Sequence, residues 1–358
     1  MSKMLNVALV FGGRSVEHDV SVNSAKNISS NADISKFNIL PFGISKKGKW
    51  YLMDEVNSDI EKGIPLTLTL DASAPVFHAD DKALKIDVVF IILHGTDGED
   101  GSIQGLFTTM NIPFVGSDVL GSALAMNKIT AKKILLQENI PTAKSHFLTR
   151  NEDTPEFEKI AKKLGTPMIV KPACLGSSVG VSKISNENEY IKALNLAFNY
   201  DSSLLIEEFV NGRELECAVF GNEDAIASPA GEVELNNDYE IYSFDAKYVD
   251  GEASTLHIPA KLDAITVEKI KELSLKAYHS LGCMDLSRID LFLKENGEVI
   301  VNEINTLPGF TNISMYPKLC ELMGMSYMEL ITKLILMAMK RKEHQQILQT
   351  EYLSGLSE

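Results

Sequence analysis

Between Leu286 and Asn305 the chain reads Leu-Ser-Arg-Ile-Asp-Leu-Phe-Leu-Lys-Glu-Asn-Gly-Glu-Val-Ile-Val-Asn-Glu-Ile-Asn, and no other stretch restricts the fold as tightly. Two β-rich runs flank Asn296-Gly297, the strongest short signal for a hairpin with a two-residue turn. Such a turn pairs Glu295 with Glu298 and, counting outward, Asp290 with Glu303 and Arg288 with Asn305. Side chains alternate along strands, so Arg288, Asp290, Glu303 and Asn305 share one face. Ile289, Leu291, Leu293, Ile300 and Ile304 form a core face on the other. Opposed carboxylates repel unless positive charge lies between them. Two arrangements satisfy that condition. Either Arg288 neutralises Asp290 on a solvated face, or Asp290, Glu303 and Asn305 supply oxygens to Mg2+, which completes its shell with phosphate oxygens. The abrupt end of the second run at Thr306-Leu-Pro-Gly309 resembles a loop aimed at a ligand and favours the metal.

A second constellation runs from Pro167 to Gly180. Two strands flank the loop Gly176-Ser-Ser-Val-Gly180, and Lys171 stands just before it. Glycines let backbone N–H groups approach a phosphate closely, and the serines add hydroxyl donors. No G-K-[ST] follows, so this is not a Walker A loop. A hairpin covering a nucleotide and an ordinary glycine-rich hairpin both fit the residues. Further on, Leu204–Glu214 ends an apolar strand on Glu207-Glu208, followed by Val210. Its backbone can present groups to an adenine edge, with Glu214 available to ribose hydroxyls; a strand-ending surface pair is the plainer alternative.

The remaining chain frames these segments. Strands at Leu5–Phe11, Asn38–Ile44, Asp87–Leu93 and Ile112–Val115 alternate with helices near 19–30 and 102–110, which implies a parallel sheet with covered faces. Asp54–Lys85 is polar and weakly patterned, as an insertion at that sheet's edge would be. Thr154 and Pro155 read as the N-cap and first residue of a helix that Gly165 ends. A helix over 266–281 and a last one over 326–340 follow, and Lys340-Arg-Lys342 reads as a solvated helix terminus complementing the helix dipole. Gly12-Gly13 lacks the G-x-G-x-x-G spacing of a dinucleotide site.

Composition bears on partners. The 358 residues carry 34 Lys+Arg against 49 Asp+Glu, a net charge of -15, which disfavours nucleic acid and anionic membranes as partners. No apolar run approaches the ~18 residues of a membrane span. The four cysteines form no C-x-x-C, so neither zinc nor a disulfide framework is expected, and a cytoplasmic location fits best.

Taken together these segments resemble the ATP-grasp superfamily, and within it the D-alanine–D-alanine ligase family. Glu17-His-Asp-Val-Ser21 is similar to its E-x-x-V-S signature, and His94–Gly101 to its H-G-x-x-G-E-D-G block. Val115-Gly-Ser with Asn127-Lys128, Lys171-Pro with Gly176–Gly180, Asp245–Tyr248, Arg288-Ile-Asp290 and Asn302–Gly309 complete the set in order, over nearly the whole chain. Asn127 stands where Asp is usual, Met315 where Leu is frequent and Glu208 where Lys or Gln is common; Ile304 and Leu307 replace smaller or variable residues.

The resemblance implies an α/β (α+β overall) ATP-grasp fold. Residues 1–124 would be an N-terminal parallel α/β domain, 125–212 a central subdomain, and 213–358 a C-terminal subdomain with a lid at 232–255. It implies an enzyme that joins two D-alanine molecules through an acyl phosphate, using ATP and two Mg2+ (or Mn2+), for peptidoglycan precursors, as a cytoplasmic homodimer. A free carboxylate is a poor acyl donor, so its activation needs positive charge along the phosphoryl path. By the resemblance, Lys128, Lys171, Ser177, Ser178, Glu207, Glu208, Val210, Glu214, Lys247 and Asn302 bind ATP. Asp290, Glu303 and Asn305 hold the metal. Glu17 pairs with the first ammonium, with His94 near, and Ser177 and Tyr248 link to Glu17. Arg288 and the Gly309 N–H stabilise the oxyanion, while Ser314 and Lys247, beside Met315, hold the second substrate. The close alternatives are a D-alanine–D-lactate ligase or another carboxylate–amine ligase of the superfamily.

Overall fold

Leu5–Gly12 is apolar from Val7 to Phe11, all fully buried, and in the computed structural model it forms the central strand β1. The structure describes residues 4–236 and 253–347. Lys247, Tyr248 and most of the expected lid therefore lie outside the described residues. After β1 come α1 (His18–Asn31), β2 (Phe37–Ile44), β3 (Trp50–Leu52), β4 (Ile64–Thr69), β5 (Val76–Ala79), β6 (Lys82–Leu84), β7 (Val88–Ile91), α2 (Ser102–Thr109) and β8 (Phe114–Val115). They build one sheet in the order β6-β5-β4-β3-β2-β1-β7-β8. Its β2-β1-β7-β8 part is parallel, as the strand–helix alternation requires. The segment read as an edge insertion does lie at the edge, where it adds antiparallel strands.

Two antiparallel sheets follow. Helices α3 (Val119–Met126) and α4 (Lys128–Gln137) lead to β9 (Ser145–Thr149), α5 (Phe157–Leu164), β10 (Met168–Pro172), β11 (Ser182–Ile184), α6 (Glu187–Phe198) and β12 (Ser203–Glu208). These strands pair in the order β11-β10-β12-β9, with α5 and α6 closing a core around Tyr190 and Met168. The N-cap of α5 is Glu156, not Thr154, and Gly165 ends the helix as expected. The third sheet comprises β13 (Gly212–Phe220), β14 (Ile226–Ala227), β15 (Gly231–Leu235), β16 (Ser254–His257), β17 (Leu286–Lys294) and β18 (Val299–Asn305). Helix α7 (Ala264–Ser280) covers one face of it. Helices α8 (Met315–Leu322) and α9 (Tyr327–Gln346) return to the first sheet, and their Tyr316, Leu319, Leu330 and Leu334 share a core with Leu9 and Phe90. No single described helix is long and apolar enough to cross a membrane.

The β17–β18 hairpin departs from its expected turn and still reaches the expected register. Lys294 N donates to Glu298 O (2.9 Å) and Gly297 N to Lys294 O (3.0 Å), so the turn holds three residues, with Gly297 at φ +78°. That is a left-handed glycine position, usual for three-residue hairpin turns. The pairing then slips by one residue: Leu291 faces Val301 but Asp290 faces Glu303, which leaves Asn302 as an extra residue in β18. The bulge cancels the longer turn, so Asp290–Glu303 and Arg288–Asn305 pair as the sequence predicts. Between turn and bulge the faces are exchanged. Val299 and Val301 join the core under α7, whereas Ile300, equally buried, pairs with Phe292 on the opposite side of the sheet.

The C-terminal basic triplet is also corrected. α9 continues to Gln346, and Arg341 is no solvated terminus. Its Nη1 lies 2.7 Å from the fully buried Asp285 carboxylate. Its Nη2 donates to the carbonyls of Phe114 (2.7 Å) and Gly116 (3.0 Å).

Candidate active site

The second and third sheets face one another across a cavity of about 450 Å³. Its walls include Lys128, Lys171, Ser177, Ser178, Glu207, Glu208, Val210, Glu214, Asn302, Asp290 and Glu303. Residues far apart in sequence thus meet in one cleft, with two lysines gathered inside an acidic protein. Lys171 Nζ sits 2.6 Å from Glu207 Oε2 and donates to Asn302 Oδ1 (3.3 Å). The bulge supplies that acceptor. Lys128 Nζ donates to Leu175 O (2.8 Å) and lies 3.4 Å from Glu303 Oε2. Asn127 caps α4 by accepting from Thr130 N (2.9 Å), a task Asn and Asp perform equally, so the departure at this position leaves Lys128 on a capped helix.

Lys132 is a residue that sequence reasoning missed. It lies one turn after Lys128, buried, with Nζ 2.8 Å from Glu207 Oε1. Burial alone would push the Glu207 carboxyl up, but the two ammonium groups outweigh it and hold it low. The i,i+4 spacing of two lysines on one helix was the available signal. Glu208 instead turns to the sheet edge, where Oε1 accepts from Lys144 N (2.9 Å).

On β17, Arg288 Nε and Nη2 donate to both oxygens of Asp290 (2.6 and 2.7 Å), and Nε lies 3.1 Å from Glu216 of the neighbouring strand. Burial works against this guanidinium, but Asp290 and Glu216 keep it firmly protonated. Asn305 Nδ2 donates to Asp290 Oδ2 (3.1 Å). The first of the two expected arrangements is therefore present, on a largely buried face and not a solvated one: Arg288 neutralises Asp290, with Asn305 beside them. Among the described residues no group of three or more His, Cys, Asp or Glu side chains is placed to hold a metal ion. Glu216 was not anticipated; pairing of β13 with β17 across Glu216 and Asp290 brings it in.

Glu17 forms a separate focus at the C-terminal end of the first sheet. Ser177 Oγ donates to its Oε1, so the glycine loop reaches the N-terminal sheet. Its Oε2 is buried with no hydrogen-bond partner among the described residues. A Cβ on Gly95 would lie 2.4 Å from that oxygen and one on Gly176 2.8 Å, so both loops approach it as only glycine permits. A buried carboxylate oxygen without a donor is costly, and an ammonium ion is a fitting partner.

His94 does not offer a free ring nitrogen here: Nδ1 meets Leu307 O (2.9 Å) and Nε2 meets Ser24 Oγ (3.2 Å). Ser314 Oγ accepts from Thr311 N (3.0 Å), and a Cβ on Gly309 would stand 2.8 Å from it. Met315 is buried in the core, its sulfur 2.4 Å from where a Gly231 Cβ would be, so the structure places it behind the cleft wall.

Glu99, also unforeseen, accepts from Gly95 N (3.0 Å) and Leu307 N (3.3 Å). Burial and then the Glu17 charge raise its carboxyl to about 8. The unfolded chain ionises this group near its ordinary ~4.3. Its stabilising contribution is therefore complete below that value and is lost as pH rises toward 8. Glu99→Gln should gain stability relative to the parent protein as pH goes from roughly 5 to 8, read as the difference in urea midpoints. A difference constant with pH would refute this.

These sheets, gripping a lysine-lined cleft with a clustered oxygen face, define an ATP-dependent ligase of the ATP-grasp class. Residues 6–117 match the family model for the D-ala D-ala ligase N-terminus, and residues 134–336 that for the C-terminus. The chain is 43% identical to a D-alanine–D-alanine ligase of Oceanobacillus iheyensis over 98% of this chain and 99% of that protein. Among solved structures it resembles the D-alanine–D-alanine ligase of Coxiella burnetii (TM-score 0.87, 34% identity, 97% of each chain). It also resembles the VanG D-Ala:D-Ser ligase of Enterococcus faecalis (0.85, 35%, covering 94% of this chain and 100% of that one). A Bacillus anthracis D-alanine–D-alanine ligase complexed with ATP aligns at 0.74, with 28% identity, over 96% of this chain and 100% of that one. The chain belongs to the D-alanine–D-alanine ligase family.

Proposed function

We propose that this protein joins two D-alanine molecules into D-alanyl-D-alanine while ATP becomes ADP and phosphate. The observation that supports it most is the unpartnered Glu17 oxygen, because Ser177, from the loop lining the nucleotide cleft, binds the same carboxylate. An ammonium held at Glu17 puts the attached carboxylate at the mouth of the lysine-lined cleft. There it attacks the γ-phosphate to give an acyl phosphate; the amine of the second D-alanine then attacks the carbonyl, and phosphate leaves.

Each residue serves one of these needs. Lys128 and Lys171 neutralise phosphoryl oxygens, and Lys132 shares Glu207 with Lys171, fixing that ammonium in place. Ser178 and the backbone N–H of Ser177 donate to phosphates from the glycine loop, the Ser177 hydroxyl proton being given to Glu17; Glu207, Glu208 and Val210 border the adenine, Glu214 meets the ribose, and Asn302 orients Lys171. Arg288 and the Gly309 N–H receive the negative charge of the tetrahedral intermediate. Ser314 and Lys247 hold the second carboxylate, and Tyr248 joins Ser177 and Glu17. Asp290, Glu303 and Asn305 present the hard oxygen donors that Mg2+ selects, so the residues fit that ion. When bound, Mg2+ neutralises phosphate charge. Glu303→Gln should raise the Mg2+ concentration needed for half-maximal turnover about tenfold or more; an unchanged Mg2+ dependence removes Glu303 from the metal set. The domain limits 1–124, 125–212 and 213–358, a homodimeric state and a cytoplasmic location belong to the same proposal.

The likeness to a D-Ala:D-Ser ligase makes the acceptor the point to test. Phosphate release and product mass are measured with D-alanine alone, then with D-lactate or D-serine added. Dipeptide from D-alanine alone is expected; turnover that requires the added acceptor overturns the reading.

A further inference from the structure

We propose that Ser24 and His94 act as positioning residues for the Gly309 amide, through a hydrogen-bond chain whose direction is fixed at every link. The inference rests on the proposed oxyanion role of that amide.

The chain begins at a carbonyl. Leu307 O can only accept, so the His94 nitrogen 2.9 Å away, Nδ1, carries the proton. Burial pushes this imidazole's pKa down, so the ring is neutral and Nε2 holds a lone pair. Ser24 must then donate its hydroxyl proton to Nε2, across 3.2 Å. That leaves the Ser24 oxygen as acceptor, and Phe310 N donates to it at 3.3 Å. One serine and one histidine thus connect the carbonyl of Leu307 to the amide of Phe310.

The loop is held at its other groups too. Leu307 N donates to Glu99, and Phe310 O accepts from Asn27 Nδ2 (2.9 Å) and Tyr327 OH (2.5 Å). Pro308 has no N–H. Of the three N–H groups in Leu307-Pro-Gly-Phe310, that of Gly309 alone has no bond in this network among the described residues, and the ties on either side of it fix where it points. Ser24 and His94 come from the first sheet's α1 and the segment after β7, whereas Gly309 follows β18 of the third. The network therefore sets the oxyanion donor relative to Glu17, which also stands on the first sheet. A misplacement of about 1 Å at such a site can lower turnover a hundredfold.

Ser24→Ala removes one oxygen, and His94→Asn keeps a donor near Leu307 O but loses Nε2. Each is compared with the parent protein and the double variant for dipeptide kcat, ATP KM and phosphate released per dipeptide, with thermal melting as a check on folding. Expected are a kcat roughly tenfold or more lower, an unchanged ATP KM and more than one phosphate per dipeptide, because an acyl phosphate awaiting a poorly supported attack is lost to water. The double variant should be no worse than the poorer single one, since both break the same chain. A folded Ser24→Ala protein with normal kcat and one phosphate per dipeptide overturns the proposal, as do losses that multiply. Should Ser24→Ala not fold, His94→Asn decides by the same ratio. Failure of the parent protein to form dipeptide would instead overturn the functional reading on which this rests.

Discussion

Arg341→Met is expected to lower the thermal midpoint by roughly 6–20 °C, from a loss of about 3–5 kcal/mol for breaking a buried ion pair at about 2–4 °C per kcal/mol. The loss is large because of what stays behind. Asp285 is fully buried, and burial already drives its carboxyl upward against the pull of Arg341. Without the guanidinium the group either carries an uncompensated charge or takes up a proton at a pH where the unfolded chain would not. Two carbonyls, of Phe114 and Gly116, also lose their donor. Gly116 N (2.9 Å) and Asn222 Nδ2 (3.0 Å) still donate to Asp285, but neither brings charge. Adding Asp285→Asn should restore part of the loss, since it deletes the orphaned charge. Strictly additive losses in the two single variants and the double would show that the pair is not coupled.

Arg341 also shows where the sequence stops being informative. A Lys-Arg-Lys triplet late in an amphipathic helix looks like a solvated end, because nothing local indicates that an aspartate 56 positions earlier will be buried against it. Only the return of α9 to the edge of the first sheet brings Phe114, Gly116 and Asp285 within reach. The hairpin teaches a different lesson. Its turn is one residue longer than Asn296-Gly297 suggests, and Asn302 bulges by one residue, so the two departures cancel beyond Asp290. The polar face was legible since it lies past the bulge, whereas Ile300 was placed on the wrong side because it lies before it. Alternation fixes faces only while the ladder is regular. Strand β7, apolar throughout, and β1, apolar from Val7 to Phe11, are legible from composition alone. In helix α6 the buried Tyr190, Ala193, Leu194 and Ala197 are interleaved with the exposed Ile191 and Leu196, so no clean apolar stripe marks it in the sequence. Glu17 was legible from its motif; its unpaired oxygen was not, since that follows from two glycine loops converging from different sheets.

Arg288→Lys should reduce turnover by about two to three orders of magnitude, the usual effect of removing one oxyanion donor, with little change in melting temperature. The lysine variant separates chemistry from stability. Arg288 lies between Asp290 and Glu216, both largely buried, so alanine would strand two carboxylates and weaken the fold as well as the reaction. Lysine keeps the positive charge between them. What it gives up is the planar fork, which here spends Nε and Nη2 on Asp290, with Nη1 as the arm that the proposed oxyanion role requires. An ammonium pulled toward the two carboxylates has no second fixed arm to extend. If Arg288 acts on the tetrahedral intermediate, kcat falls while the KM for ATP holds. If its task is instead to hold the Asp290 and Glu216 carboxylates together, lysine should largely replace it, and near-normal kcat would then remove Arg288 from the oxyanion site.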